Sequence, residues 1–270
     1  MPAQDGAEVT RSPHSLVIAV DGPSGSGKSS VSREVAHRLG LAYLDTGAMY
    51  RAVCWSVLES GIDPDDAEAV AGHTRALDLV MVTDPQAPGV RVGGRDISVD
   101  IRQTRITERV SVVAANQQVR AELRARQRAL IAAAAAGPQR GCVAEGRDLT
   151  TVVAPDADVR LLLTASERAR LARRALEVHG SDDVAALEAT RDQVLRRDAD
   201  DSLVTSFTTA ADGVLHLDSS GLTFEQTVQA VLDAVTLQVG GLILDVTDGR
   251  VASAAAVGYA VGTGPAGNLR

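Results

Sequence analysis

The chain has 270 residues, 45% hydrophobic and 23% charged, with a formal net charge of −8. That balance excludes a globally basic nucleic-acid binder, and two cysteines, Cys54 and Cys142, are too few for a disulfide framework and suit buried thiols in a reducing compartment. No apolar run reaches the roughly 20 residues that span a bilayer, and residues 1–15 carry no apolar signal segment, so a cytoplasmic protein without membrane or nucleic-acid partners is expected.

Residues 1–15 are polar and read as disordered. Leu16 to Val20 is a short apolar run rich in β-branched residues, which predicts a buried strand. Beyond the turn Asp21-Gly22-Pro23, the stripe Val31, Val35, Ala36 and Leu39 predicts a helix over 28–39, with Gly40 as its C-terminal cap. A second strand over 41–44 and a second helix over 46–58 follow. From about Ile62 to Arg102 the rhythm changes: a helix over 64–77, then short strands at 79–82, 90–92 and 97–99 punctuated by Pro85, Pro88, Gly89, Gly93 and Gly94. That is the chemistry of an antiparallel meander.

Helices over 104–115 and 118–136 lead back into an α/β alternation. It comprises strands at 142–144, 159–163 and 214–217 and helices at 166–178, 184–197 and 224–237. The fold class is therefore α/β, a parallel sheet covered by helices on both faces with a small antiparallel patch inserted. The Gly/Ala/Val-rich tail over 238–270 reads as loosely ordered or as a single hairpin.

Between the first strand and first helix lies Gly22-Pro23-Ser24-Gly25-Ser26-Gly27-Lys28-Ser29, followed by Ser30. This matches G-x-x-x-x-G-K-[ST], the phosphate-binding P-loop, in the strand–turn–helix setting that gives the pattern meaning. Its glycines let backbone N–H groups converge on phosphate oxygens, and the helix start adds its positive dipole end. Lys28 would reach the β- and γ-phosphates, while the Ser29 hydroxyl would ligate Mg²⁺. Lys28 is the single lysine among 27 basic residues. The Asn-Lys-x-Asp element that reads guanine in switch GTPases needs another lysine, so that class is excluded.

The P-loop alone is silent on the acceptor. Arginine suits a phosphate dianion, and Arg51 and Arg147 each follow a tight turn beyond a strand end. Ligands of doubly wound sheets bind beyond the strands' carboxyl ends, so both could face the cleft that holds Lys28. Taken singly, each also reads as a surface ion pair.

Asp21 to Ser29, Leu44-Asp45-Thr46-Gly47-Ala48-Met49-Tyr50-Arg51 and Glu145-Gly146-Arg147-Asp148 together resemble bacterial cytidylate kinases, in order and spacing, from about 16 to 237. The resemblance implies a P-loop NTPase-type kinase fold with an acceptor-binding insert over about 62–115, a helical lid over about 164–200 and a core of 16–61 and 140–237. It implies phosphoryl transfer from ATP, with Mg²⁺, to CMP or dCMP by a monomer. It implies Ser111, Arg120 and Asp148 around the base, Arg197 and Asp201 at the ribose, and Thr46, Arg51 and Arg147 near the acceptor phosphate. Arg168, Arg170, Arg173 and Arg174 cluster at the start of the lid, where Arg170 and Arg174 share a helix face and are expected at the transferring phosphoryl. The chain departs from the family pattern at Val204 (usually arginine), Thr150 (usually glycine) and Glu145 (often aspartate). Two other readings remain open: a P-loop kinase for another small acceptor, and a degenerate ATP-binding protein.

Overall fold

The computed structural model describes residues 15–179, 191, 209–239, 261–262 and 268–269. The helix expected over 184–197, with Arg197, Asp201 and Val204, lies outside the described residues, as does most of the tail. Among the described residues no helix is long and apolar enough to cross a membrane.

Five parallel strands form the core sheet, in the order β2 (Ala42–Asp45), β6 (Gly141–Gly146), β1 (Leu16–Asp21), β7 (Val159–Thr164) and β8 (Leu215–Asp218). The short β10 (Asn268–Leu269) adds a parallel strand beside β8, and β9 (Val261–Gly262) pairs antiparallel with β10. The period-2 geometry of a strand sends alternate side chains of β1 to opposite layers. Val17 and Ala19 join one core with Leu44, Ala144 and helix residues such as Met49, Val53 and Leu123. Ile18 and Val20 join the other with Val31, Val35, Leu163 and Val231. The apolar run at the start of the chain is therefore continuous because both faces are covered.

Local signals set most helix ends. Helix α1 (Lys28–Leu39) stops at Gly40, whose φ of 65° is left-handed and whose N–H reaches the Ala36 and His37 carbonyls. Helix α2 (Thr46–Glu59) starts on the Asp45 carboxylate, which accepts the Ala48 N–H at 2.8 Å. Helix α3 (Ala67–Ala76) starts later than the pattern over 64–77 suggests, because Asp66 caps it by accepting the Ala69 N–H. Asn116 caps α6 (Gln117–Ala136) in the same way.

Three elements differ from expectation. The meander is antiparallel, with β3 (Leu79–Val82) on β4 (Gly89–Val92) on β5, but β5 is Arg95–Asp96 and not 97–99. The Asp96 carboxylate captures both the N–H and the hydroxyl of Ser98, at 2.9 and 2.6 Å, and this local turn ends the strand early. The helix expected over 104–115 is broken into α4 (Thr104–Thr107) and α5 (Val110–Ala115). Its β-branched residues hold a helix weakly, and the break leaves both Ile106 and Val110 buried. A π-helical turn at Leu149–Val153 has no counterpart in the sequence pattern. Asp21 provides its anchor, accepting the N–H groups of Leu149 and Thr150 and the Thr150 hydroxyl at 2.6–2.9 Å. The threonine at 150 thus adds a donor to a buried carboxylate. Burial still holds Asp21 above its ordinary pKa despite these bonds.

Cys54 and Cys142 are both buried free thiols, pushed up to about 11 and about 12 by desolvation.

Candidate active site

Strand register assembles the site. In the parallel pairing Asp21 sits opposite Gly146 and Asp45 opposite Glu145, so the ends of β1, β2 and β6 bring three motifs distant in sequence into one row. A cleft of about 1020 Å³ opens beyond them, at the position where β1 is flanked by connections running to opposite sides.

Residues 24–30 of the glycine-rich loop line this cleft, while Gly22 and Pro23 are not part of its wall. Gly25 has φ +74°, and a Cβ there would stand 2.7 Å from the Arg170 carbonyl, so the loop and α7 (Glu167–His179) can approach only without a side chain. Gly25→Ala should therefore strain the loop by about 1–3 kcal/mol or push α7 away. A lowered thermal midpoint together with weaker ATP binding by calorimetry is the expected result.

Lys28 Nζ stands 3.9 Å from Glu145 Oε2 and 3.4 Å from the Pro23 carbonyl oxygen to which it donates. The Ser29 hydroxyl donates to Glu145 Oε1 at 2.7 Å, and the Tyr43 hydroxyl donates to the same oxygen at 3.2 Å. Burial and then the neighbouring Asp45 charge raise the Glu145 pKa, against the pull of Lys28 and Ser29. Burial also presses on Asp45, but Arg51, the Ala48 N–H and Lys28 outweigh it and leave Asp45 below its usual value. Ser29, Glu145 and Asp45 form an all-oxygen donor set suited to a hard cation. Among the described residues no group of three or more His, Cys, Asp or Glu could cage a metal by itself. That combination fits Mg²⁺, which binds through few protein oxygens and completes its shell with water and phosphate.

The two arginines expected at the acceptor phosphate face the same cleft as Lys28. Arg51 is held one turn into α2 by an ion pair to Asp45 Oδ2 at 2.7 Å. Asp45 therefore caps α2, orients Arg51 and faces Glu145 at once. Arg147 donates from Nη1 to the Gly22 carbonyl at 3.0 Å, tying its turn to the phosphate loop. Thr46 lines the cleft and donates to the Glu145 carbonyl at 2.8 Å. Gly146 must be glycine for this approach, since a Cβ would overlap the Thr46 hydroxyl and Leu149.

Arg120 and Asp148 also line the cleft and are ion-paired at 2.9 Å. Ser111 lies on α5 between Val110 and Ala114, which line the cleft, but is not itself part of the wall. In the lid helix the structure divides the arginines in a way that helical spacing alone does not indicate. Arg170 donates to the Ser24 carbonyl at 2.9 Å, and Arg173 donates to the Ser26 carbonyl and to Ser219. Both grip backbone of the phosphate loop, whereas Arg174 and Arg173 line the cleft and Arg170 does not.

The sequence pattern assigned no site role to Asp45, Glu145, Tyr43 or Arg124, and marked Arg173 only as one of the lid cluster. For Asp45 and Glu145 a signal existed, since Asp45 ends β2 and Glu145 is the last residue but one of β6, each next to a motif turn. The other three depend on tertiary placement.

The cytidylate kinase family model matches residues 18–237. A cytidylate kinase of Streptomyces griseus is 47% identical over 222 residues, spanning 82% of this chain and 93% of that protein. One from Cutibacterium acnes is also 47% identical, over 225 residues, spanning 82% and 96%. A bifunctional pantoate ligase/cytidylate kinase of Synechococcus is 43% identical over 237 residues, spanning 86% of this chain and 46% of that longer protein.

Proposed function

The chain belongs to the cytidylate kinase family, and from that premise we propose that its cleft transfers the γ-phosphoryl group of ATP to the phosphate of CMP or dCMP, giving ADP and CDP or dCDP. The observation that carries this reading is the shared cleft. The phosphate loop with Lys28 lines it together with Arg51, Arg147 and the ion-paired Arg120 and Asp148. Two anions, one a triphosphate and one a monophosphate, find complementary charge in that space.

The acceptor phosphate is already ionised at neutral pH, so no protein base has to remove a proton. What the residues contribute is position and electrostatics around an in-line transfer. The loop N–H groups and Lys28 hold the β- and γ-phosphates. Arg51 and Arg147 hold the acceptor phosphate, and a lid arginine, Arg170 or Arg174, carries charge to the moving group on closure. Ser29, Glu145 and Asp45 are the oxygens that would hold Mg²⁺, which would supply neutralising charge to the triphosphate. Thr46 sets the turn before Arg51. Ser111 and the Arg120–Asp148 pair read the base, and Arg197 and Asp201 hold the ribose. Excluding water on closure prevents loss of ATP to hydrolysis. The protein works in this reading as a cytoplasmic monomer whose insert over about 62–115 closes on the acceptor and whose segment over about 164–200 closes on ATP.

A coupled assay of ADP release with a panel of acceptors tests the proposal. CMP or dCMP should exceed UMP and AMP by a wide margin. ATP binding without acceptor-dependent ADP release would contradict it.

A further inference from the structure

Asp148 is 6% exposed, and its side chain is approached by two guanidinium groups. Arg120 donates from Nη2 to Oδ2 at 2.9 Å, and Arg124, one turn further along α6, donates to that same oxygen from Nε at 3.1 Å and Nη2 at 2.8 Å. Among the described residues no group donates to Oδ1. Arg120 lines the cleft with Asp148, whereas Arg124 reaches the carboxylate without being part of the cleft wall. Three donors on one oxygen exceed its two lone pairs, so Oδ2 has no capacity left for a ligand.

A carboxylate facing a single guanidinium prefers the two-pronged fork, in which both oxygens are engaged. Two guanidiniums on Oδ2 oppose that rotation and leave Oδ1, on a residue that lines the cleft, without a donor among the described residues. Cytosine offers an amino donor at the edge where uracil offers a carbonyl acceptor. An acceptor oxygen fixed in place would bond the first and repel the second, and a site built on such a bond discriminates strongly.

We propose that Arg124 is a positioning residue for acceptor-base selection: it pins Asp148 through Oδ2 so that Oδ1 remains available to an exocyclic amine. The inference rests on the cytidylate kinase reading above and adds to it a residue that touches neither substrate.

The test compares wild type, Arg124→Leu and Arg124→Gln for kcat and KM with CMP and UMP. For Arg124→Leu the ratio of kcat/KM for CMP over UMP should fall about tenfold, the scale of misaligning one hydrogen bond to a charged group. The loss should appear in the KM for CMP, with the UMP constants little changed. Arg124→Gln, which retains one donor without the charge, should fall between. If Arg124→Leu does not fold, Arg124→Gln alone decides, by the same ratio. A ratio equal to wild type in the folded variants, or equal losses on both acceptors, overturns the role of Arg124 while leaving the kinase reading intact. A wild type that does not prefer CMP overturns both.

Discussion

Replacing Lys28 with alanine should lower kcat by on the order of 10²–10³, as deletion of a preorganised electrostatic contact does elsewhere, with the fold retained. The lysine side chain is 14% exposed and points into the cleft next to the buried Glu145. Arginine should not restore function either. A planar guanidinium cannot follow a moving phosphoryl within a glycine-lined cradle as a compact ammonium can, so Lys28→Arg should remain at least about tenfold impaired. Single-turnover rates with saturating ATP and acceptor, alongside thermal melts of each variant, provide the check. Turnover at the wild-type level in Lys28→Ala would refute the cradle.

The second large effect concerns Glu145. Changing it to glutamine keeps an acceptor for the Ser29 and Tyr43 hydroxyls but removes the charge that an Mg²⁺ shell needs. Activity at limiting Mg²⁺ should fall by about 10², and the Mg²⁺ concentration giving half-maximal rate should rise. Stability without nucleotide should move the opposite way. The folded-state pKa of Glu145 is raised by burial and by Asp45, so the folded protein binds this proton more tightly than the unfolded chain does. The stability linked to that proton is therefore complete below the ordinary glutamate value and is lost as pH climbs through the elevated one. Asp21 is raised as well and adds to the same slope, so the informative quantity is the difference between Glu145→Gln and wild type. That difference should grow in favour of the variant as pH rises above the usual glutamate range, then level off. Melting curves in chelator across that range would show it; a constant offset would count against a strained carboxylate.

The phosphate loop and its flanking elements could be read from sequence because their signals are local. Glycines at 25, 27 and 40 adopt left-handed φ where the pattern demanded them, and β1 and α1 carry their own apolar periodicity. Asp45-Thr46-Gly47 through Arg51 was equally legible, being a cap followed by one helical turn. What could not be read was set by register and by long-range contact. Asp45 meets Glu145 only because β2 and β6 are neighbours in a particular alignment. Asp21 reads in sequence as the first residue of a turn, yet it ends β1 and its carboxylate organises the turn at 149–150, 128 residues away for the first of those bonds. Helical spacing put Arg170 and Arg174 on one face, but cannot show that Arg170 is directed to the Ser24 carbonyl and Arg173 to that of Ser26. The displaced third meander strand and the broken helix at 108–109 have related causes: one side-chain turn in the first and one run of β-branched residues in the second outweighed an otherwise regular pattern.

A side-chain primary amine occurs at one place in this chain, and that place is the phosphate cradle. Acylating reagents carried in on a nucleotide would have one lysine to mark, so a single modified peptide in a mass spectrum would report occupancy directly. Saturating the cleft with unlabelled nucleotide should erase that mark.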